Sequence, residues 1–263
     1  MSRVGYALAL GAGCMFAVTA GARAPAAVEI EIVGRDGGTF REIPVDSRDG
    51  AVRSYLQAEK GARYEVRVRN ITGERIGLVI AVDGRNIISG GKSELGRDEP
   101  MYVLDAWDAQ NYSGWRASLD AVNEFYFTDW RDSYAEAFGD RSARGVIAVA
   151  VFRELSPPAE DARSESSGPQ PEPPPVAAQS ARGAAKSADA ARRDESAGTG
   201  YGERRVDRAV RVEFVAQSQP DSRHFIKYEW RETLCRKQVL ECGEQNRFWD
   251  ESKLGFAPPP PRH

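Results

Sequence analysis

Two short runs set the terms for this fold. Residues 28–33 (VEIEIV) and 64–69 (YEVRVR) alternate apolar and charged side chains. A period of two puts every apolar group on one face of a strand and scatters them around a helix. Residues 76–82 (IGLVIAV) and 145–152 (GVIAVAVF) are instead continuously apolar, as expected of central strands covered on both faces. Further strands are expected at 40–45, 52–56, 101–104, 112–116 and 125–128. Asp83-Gly84 supplies hairpin chemistry, because glycine takes positive φ without strain, and Asn86-Ile87-Ile88 would return from it. Short helices are expected over 118–123, capped by Ser118, and over 133–138, ended by Gly139. Strands broken by turns at this rhythm predict a mainly β protein, an antiparallel β-sandwich with short helices.

The composition changes abruptly after Arg153. Residues 156–200 are rich in Pro, Ala, Ser, Glu and Arg, with almost no large apolar side chains. Such a stretch cannot bury enough surface to offset an ordering cost of about 1–2 kcal/mol per residue. It reads as a disordered linker, with Gly198-Thr199-Gly200-Tyr201-Gly202 as its flexible exit. Beyond it, strands are expected at 210–215 and 225–230, a short helix at 232–240, and a polyproline stub at 258–261. Two strands are marginal alone, so the C-terminal pair should dock onto the first sheet. The expected organisation is a leader over 1–24, a β-sandwich over 25–155, the linker over 156–200 and a C-terminal segment over 201–263.

The leader expectation rests on Arg3, the apolar stretch from Val4 to Ala20, and Ala22-Arg23-Ala24, which has the small-x-small form of a signal peptidase site. Pro25 leaves cleavage after Ala22 open, and Cys14 leaves lipidation open although Gly11 is a poor lipobox residue. The apolar stretch is shorter than the roughly 20 residues of a membrane span, and no later segment approaches that length. Export implies a periplasmic or secreted protein.

Downstream of the leader stand two cysteines, Cys235 and Cys242. In an oxidising compartment such a pair favours a disulfide. On one continuous helix the two would be about 10.5 Å apart along the axis, whereas a disulfide needs Cα atoms within about 7 Å. Bonding therefore requires the helix to break between them; the alternative is two thiols on one helical face. Two cysteines with only His224 and the terminal His263 make a poor zinc set.

Of the 263 residues, 36 are Lys or Arg and 39 Asp or Glu, for a formal net charge of −3. This mixed balance carries no nucleic-acid footprint. Residues 86–93 (NIISGGKS) come near a phosphate-binding loop, but Asn86 replaces the leading glycine and Gly96 and Pro100 preclude the following helix. Asp105, Asp108, Asp129 and Asp132 could bind calcium or form a carboxylate pair if their loops converge. No serine sits in a Gly-x-Ser-x-Gly elbow. No cofactor is implied. Asn70-Ile-Thr72 and Asn111-Tyr-Ser113 match the glycosylation sequon, read here as chance.

The aromatic residues are the more telling set. Trp107, Tyr112, Trp115, Tyr126 and Trp130 lie close together among polar residues. Trp115 and Tyr126 are expected in the core. Trp107, Tyr112 and Trp130 are the candidate contact residues, suited to stacking on a sugar or anchoring a protein partner.

The pieces VDGRNIISG (82–90), GWR (114–116), FYFT (125–128), DSYA (132–135) and GVIAVAVFRE (145–154) resemble a family of exported proteobacterial β-rich proteins. The stretch from Gly198 to Glu213 and on to IKYEW resembles it more loosely. The resemblance implies a bacterial envelope setting and brings no activity, cofactor or catalytic residue. The expected function is an exported, non-catalytic binding or structural module of the envelope, contacting a protein or glycan through aromatic loops. The competing expectation is an exported hydrolase using loop carboxylates. An unpaired edge strand would be the sign of a larger assembly.

Overall fold

The computed structural model describes residues 27–47, 49–155 and 196–242. The leader, most of the linker and the polyproline stub lie outside these residues. The elements are β1 (Val28–Gly34), β2 (Glu42–Val45), β3 (Val52–Ala58), β4 (Arg63–Asn70), β5 (Ile76–Val82), β6 (Arg85–Asn86), β7 (Tyr102–Leu104), β8 (Ala109–Tyr112), β9 (Gly114–Ser118) and β10 (Ala121–Asp129). A 3-10 turn over Trp130–Asp132 leads into α1 (Tyr134–Ala137). Then follow β11 (Val146–Arg153), β12 (Ala197–Thr199), β13 (Arg204–Val206), β14 (Ser222–Trp230) and α2 (Arg231–Arg236).

The strands form two sheets. The first runs β1-β4-β10-β12, with β13 also on β10. Strands β4 and β10 meet only at Tyr64–Phe125 and Arg63–Tyr126. Past that point they splay, and β8 on β4 and β9 on β10 fill the wedge. Gly114 sits at its apex, where any side chain would collide with the Asn123 carbonyl. The second sheet runs β2-β3-β14-β11-β5, with β6 and β7 along the far edge of β5. All its pairings are antiparallel except β14 with β3.

The sheets bury one core between them, including Leu56, Val66, Leu78, Ile80, Phe125, Val149 and Tyr228. Tyr64 stacks on Phe125 and Phe127, with centroids 5.3 and 4.3 Å away. The continuous apolar runs of β5 and β11 have the reason expected of them. Val79, Ala150 and Phe152 face away from that core and are covered by Ala216, Leu95, Met101 and Phe214.

The C-terminal strands join both sheets: β14 is central in the second, while β12 and β13 extend the first. Four local expectations are corrected. Residues 118–121 form the turn of the β9–β10 hairpin instead of a helix, because cross-strand pairing of Val122 and Asn123 outweighs the capping tendency of Ser118. The linker stops earlier than composition implies: Ala197–Thr199 is a fully buried strand. Gly198 within it lets the backbone lie against Ser133 and Trp130, and Gly200 just after it lies against Tyr126; a Cβ would overlap Ser133 in the first case and Tyr126 in the second. Residues 210–215 have strand chemistry but belong to no strand, because no described strand lies free beside them. The last helix ends at Arg236.

That early end permits the Cys235–Cys242 disulfide. Gln238 takes a positive φ of 57°, and the cysteine Cα atoms come within 5.5 Å. Among the described residues, no helix is long and apolar enough to cross a membrane.

Candidate interaction surface

The three candidate aromatics do not share a surface. Trp130 is 1% exposed. Its indole donates to Glu136 Oε2 at 2.7 Å, and the Arg144 guanidinium lies over its ring. An aromatic flanked by charges looks exposed in sequence, but here Glu136 and Arg144, further along the chain, engage it. Tyr112 is buried against Tyr102, with centroids 4.5 Å apart, and burial pushes its hydroxyl pKa up. Trp115 is core, as expected, and donates to the Gly200 carbonyl. Only Trp107 reaches solvent, at 69% exposure. Trp107 also stands apart from Trp130. Its amide bonds to Thr72, just past the C-terminal end of β4, whereas Trp130 follows Asp129, which pairs with Lys60 just before the start of β4. At about 3.3 Å per residue, β4 separates those ends by roughly 20 Å.

Trp107 is held by a small polar scaffold. The buried Asn70 amide donates to the carbonyls of Glu74 and Asp105 at 2.7 and 2.8 Å. Its oxygen accepts from the Thr72 amide and hydroxyl. The Asn-Ile-Thr sequence is therefore a turn device, and its amide is already occupied. The Trp107 backbone has a φ of 61°, a region a bulky side chain adopts only under constraint. The indole lies over Gly73.

Beside this loop runs the segment from 207 to 216, which crosses from β13 in the first sheet to the outer face of the second. Its start is tied by the Asp207 and Ala209 amides, which bond to Asp120 and Leu119, and by Arg116 donating to Asp207. Its end is tied by Phe214 in the outer cluster and by the Leu155 amide bonding to Val215. Between these ties the chain is bare. Val210 is 82% exposed, and Val212, Val215 and the preceding Val206 are also exposed. Among the described residues, the amides of Val210 to Phe214 donate to no acceptor. Arg75 joins this segment to the Trp107 loop. It donates to the Glu213 carbonyl at 2.9 Å and sits 3.8 Å from Asp105 and 3.6 Å from Glu154. Trp107, Leu155 and the valine run thus border one hub. The strand chemistry of residues 210–215 was visible in the sequence; that 210–214 would be left unpaired was not.

The loop acids do not converge. Asp105 faces Arg75, Asp108 caps Ala109, and Asp129 pairs with Lys60 at the other end of β4. Among the described residues, no group of three or more ligating side chains could hold a metal ion. Ser222 and His224 touch at 3.3 Å, and the adjacent Asp221 is engaged by Arg153 at 2.7 Å. Residues 86–93 are followed by turns, and the Asn86 oxygen accepts from the Ile88 and Ser89 amides instead of leaving a phosphate cradle. A crevice at the β4–β10 wedge is lined by Arg35, Arg63, Glu65 and Glu124, and holds space for about one water molecule. Its charges compensate one another: Glu124 lies 2.9 Å from Arg63 and within 4 Å of Arg35 and Arg205.

One wholly buried carboxylate is strongly perturbed. Asp83, in the β5–β6 hairpin, is wholly buried, and burial pushes its pKa up to about 6 against the pull of its hydrogen bonds. It accepts from Tyr228 Oη at 2.6 Å and from the Gly145 and Thr199 amides at 2.7 and 2.8 Å. The Thr199 hydroxyl links Tyr64 and Tyr228, each at 2.7 Å. A group so enclosed meets no substrate. It fastens β12 and β14 to the rest of the fold.

A second exposed aromatic group lies elsewhere. Tyr201 stacks on Tyr134, centroids 5.3 Å apart at 15°, and Phe138 also packs on Tyr134, with Arg85 over the Phe138 ring. Tyr201 and Phe138 are both exposed.

Compared with protein-family models, curated proteins and solved structures, the chain matches none of them.

Proposed function

We propose that this chain is an exported, non-catalytic binding module of the bacterial cell envelope. It contacts a protein partner through the valine-rich segment 206–215 and Trp107. The observation that carries the reading is residues 210–214 within it: strand-forming, largely exposed, with amides that have no acceptor among the described residues. A partner strand laid beside it would satisfy every second one of those amides and flank the valines, with the fixed indole of Trp107 as a lateral anchor. The disulfide fits an oxidising compartment, and the leader-like residues 1–24 and the resemblance to exported proteobacterial proteins agree with it. The separated loop acids weigh against the hydrolase reading.

The Tyr201–Tyr134–Phe138 group favours a second reading, a glycan stacked on exposed rings beside Arg85. One experiment separates them. A photo-crosslinking residue is placed at Val210 or at Tyr201 in the exported chain, and irradiated in intact envelopes. Protein adducts from position 210 support strand addition. Adducts from position 201 that glycan-cleaving enzymes remove support the second reading. Adducts from neither position would overturn the binding-module reading.

A further inference from the structure

The charge pattern inside the bare segment narrows the choice of partner. Residues 210–214 read Val-Arg-Val-Glu-Phe. Arg211 and Glu213 are both exposed, and among the described residues neither side chain has a partner. They stand symmetrically on either side of Val212.

We infer that the strand completing this segment is the same segment of a second copy of this chain, paired antiparallel about a two-fold axis through Val212. This rests on the reading of residues 206–215 as a strand-addition site. In an antiparallel ladder centred on Val212, residue 211 of one copy stands opposite residue 213 of the other. Arg211 then faces Glu213 of the second copy, and the two-fold repeats the pair. Val212 faces Val212, and Val210 faces Phe214. Moving the axis one residue either way sets Arg211 against Arg211 or Glu213 against Glu213, and like charges directly opposed destabilise a ladder. The sequence thus favours one register and disfavours its nearest two-fold neighbours.

The side-chain faces agree. Drawn into a strand, Val210 and Val212 share the face of Phe214 and Ala216, which pack on the outer side of β5 and β11. Pairing would prolong that covered face across both copies. Arg211, Glu213 and Val215 would share the opposite face, where the crossed ion pairs form beside water. The same segment explains why a lone chain leaves valines exposed: they lie beyond the reach of its own outer cluster. A short β-prone run without proline or a blocking bulge is the kind of edge that pairs with a copy of itself.

The test is sedimentation of the full chain and of two charge variants. The account expects the wild type to dimerise. Arg211→Glu sets a second carboxylate opposite Glu213, and Glu213→Arg sets a second guanidinium opposite Arg211. Each variant alone should dimerise about tenfold more weakly or worse. Mixed one to one, they should regain a dimer of wild-type strength, because the two acids of one variant then meet the two bases of the other. Both positions are exposed, so thermal melting at a dilution where all three chains are monomeric should be unchanged and confirm folding. A wild type that stays monomeric at its highest soluble concentration overturns the inference. So does a dimer indifferent to both variants, or a mixture that does not recover. If the wild type is monomeric yet crosslinks at position 210 to a different protein, strand addition stands and only self-pairing falls. If it is monomeric and position 210 gives no adduct, both fall.

Discussion

Tyr228 donates its hydroxyl to Asp83 at 2.6 Å across a sequence separation of 145 residues. The bond spans the whole linker and joins β14 to the β5–β6 hairpin inside a sealed network. Tyr228→Phe removes one of three donors to a buried carboxylate and leaves the Thr199 hydroxyl one partner fewer. The expected cost is about 2–3 kcal/mol. Urea denaturation measures it, with Tyr201→Phe as the exposed comparison, expected to change stability by less than about 0.5 kcal/mol.

Asp83 also sets a pH dependence. Its folded pKa is about 6, against an ordinary 3.8. Between those values the folded chain holds a proton that the unfolded chain has lost. This contribution favours folding most fully below 3.8 and is lost as pH rises through 6. The wild type should therefore gain about 1 kcal/mol relative to Asp83→Asn between about pH 7 and about pH 5. Taking the difference between the two proteins cancels the other titrating groups. A gain in the opposite direction would mean that the donors, not burial, dominate at Asp83.

The two tryptophans first paired as contact residues should behave as opposites. Trp130→Ala empties a fully buried site and should cost about 3–5 kcal/mol. Trp107→Gly removes an exposed side chain and relieves a positive φ, and should leave the fold as stable or about 1 kcal/mol more so. Thermal denaturation of each variant distinguishes these outcomes.

The Cys235–Cys242 bond closes a short loop after α2. Cys235→Ser with Cys242→Ser should cost about 2 kcal/mol by the loop-closure argument, while β14 keeps its place between β3 and β11. Melting curves with and without a reductant should show this shift in the wild type and none in the double variant.

What was legible in the sequence was what depends on neighbours along the chain. The alternation of β1 and β4, the apolar runs of β5 and β11, the Ser133 cap of α1 and the helix break between the cysteines all lie within a few residues. What depends on distant partners was not. Asp83 looks like a solvated turn residue until Thr199 and Tyr228 close over it. Gly198 and Gly200 look like linker until Trp130 and Tyr126 need space for bare backbone. Trp130 looks exposed until Glu136 and Arg144 cover it. The run 210–214 is the reverse case: its strand propensity is plain, but a strand also needs a neighbour, and none is described beside these residues.

Amide hydrogen exchange across Val210 to Phe214 tests that last point most directly. In dilute chain these amides should exchange rapidly while those of β4 and β11 stay protected. In concentrated chain, or in chain recovered bound from the envelope, the alternate amides that face the partner strand should become protected with the rest of the fold unchanged. A run whose amides all stay fast in every state, or are already slow in the dilute chain, would contradict the reading of this segment as a strand awaiting its partner.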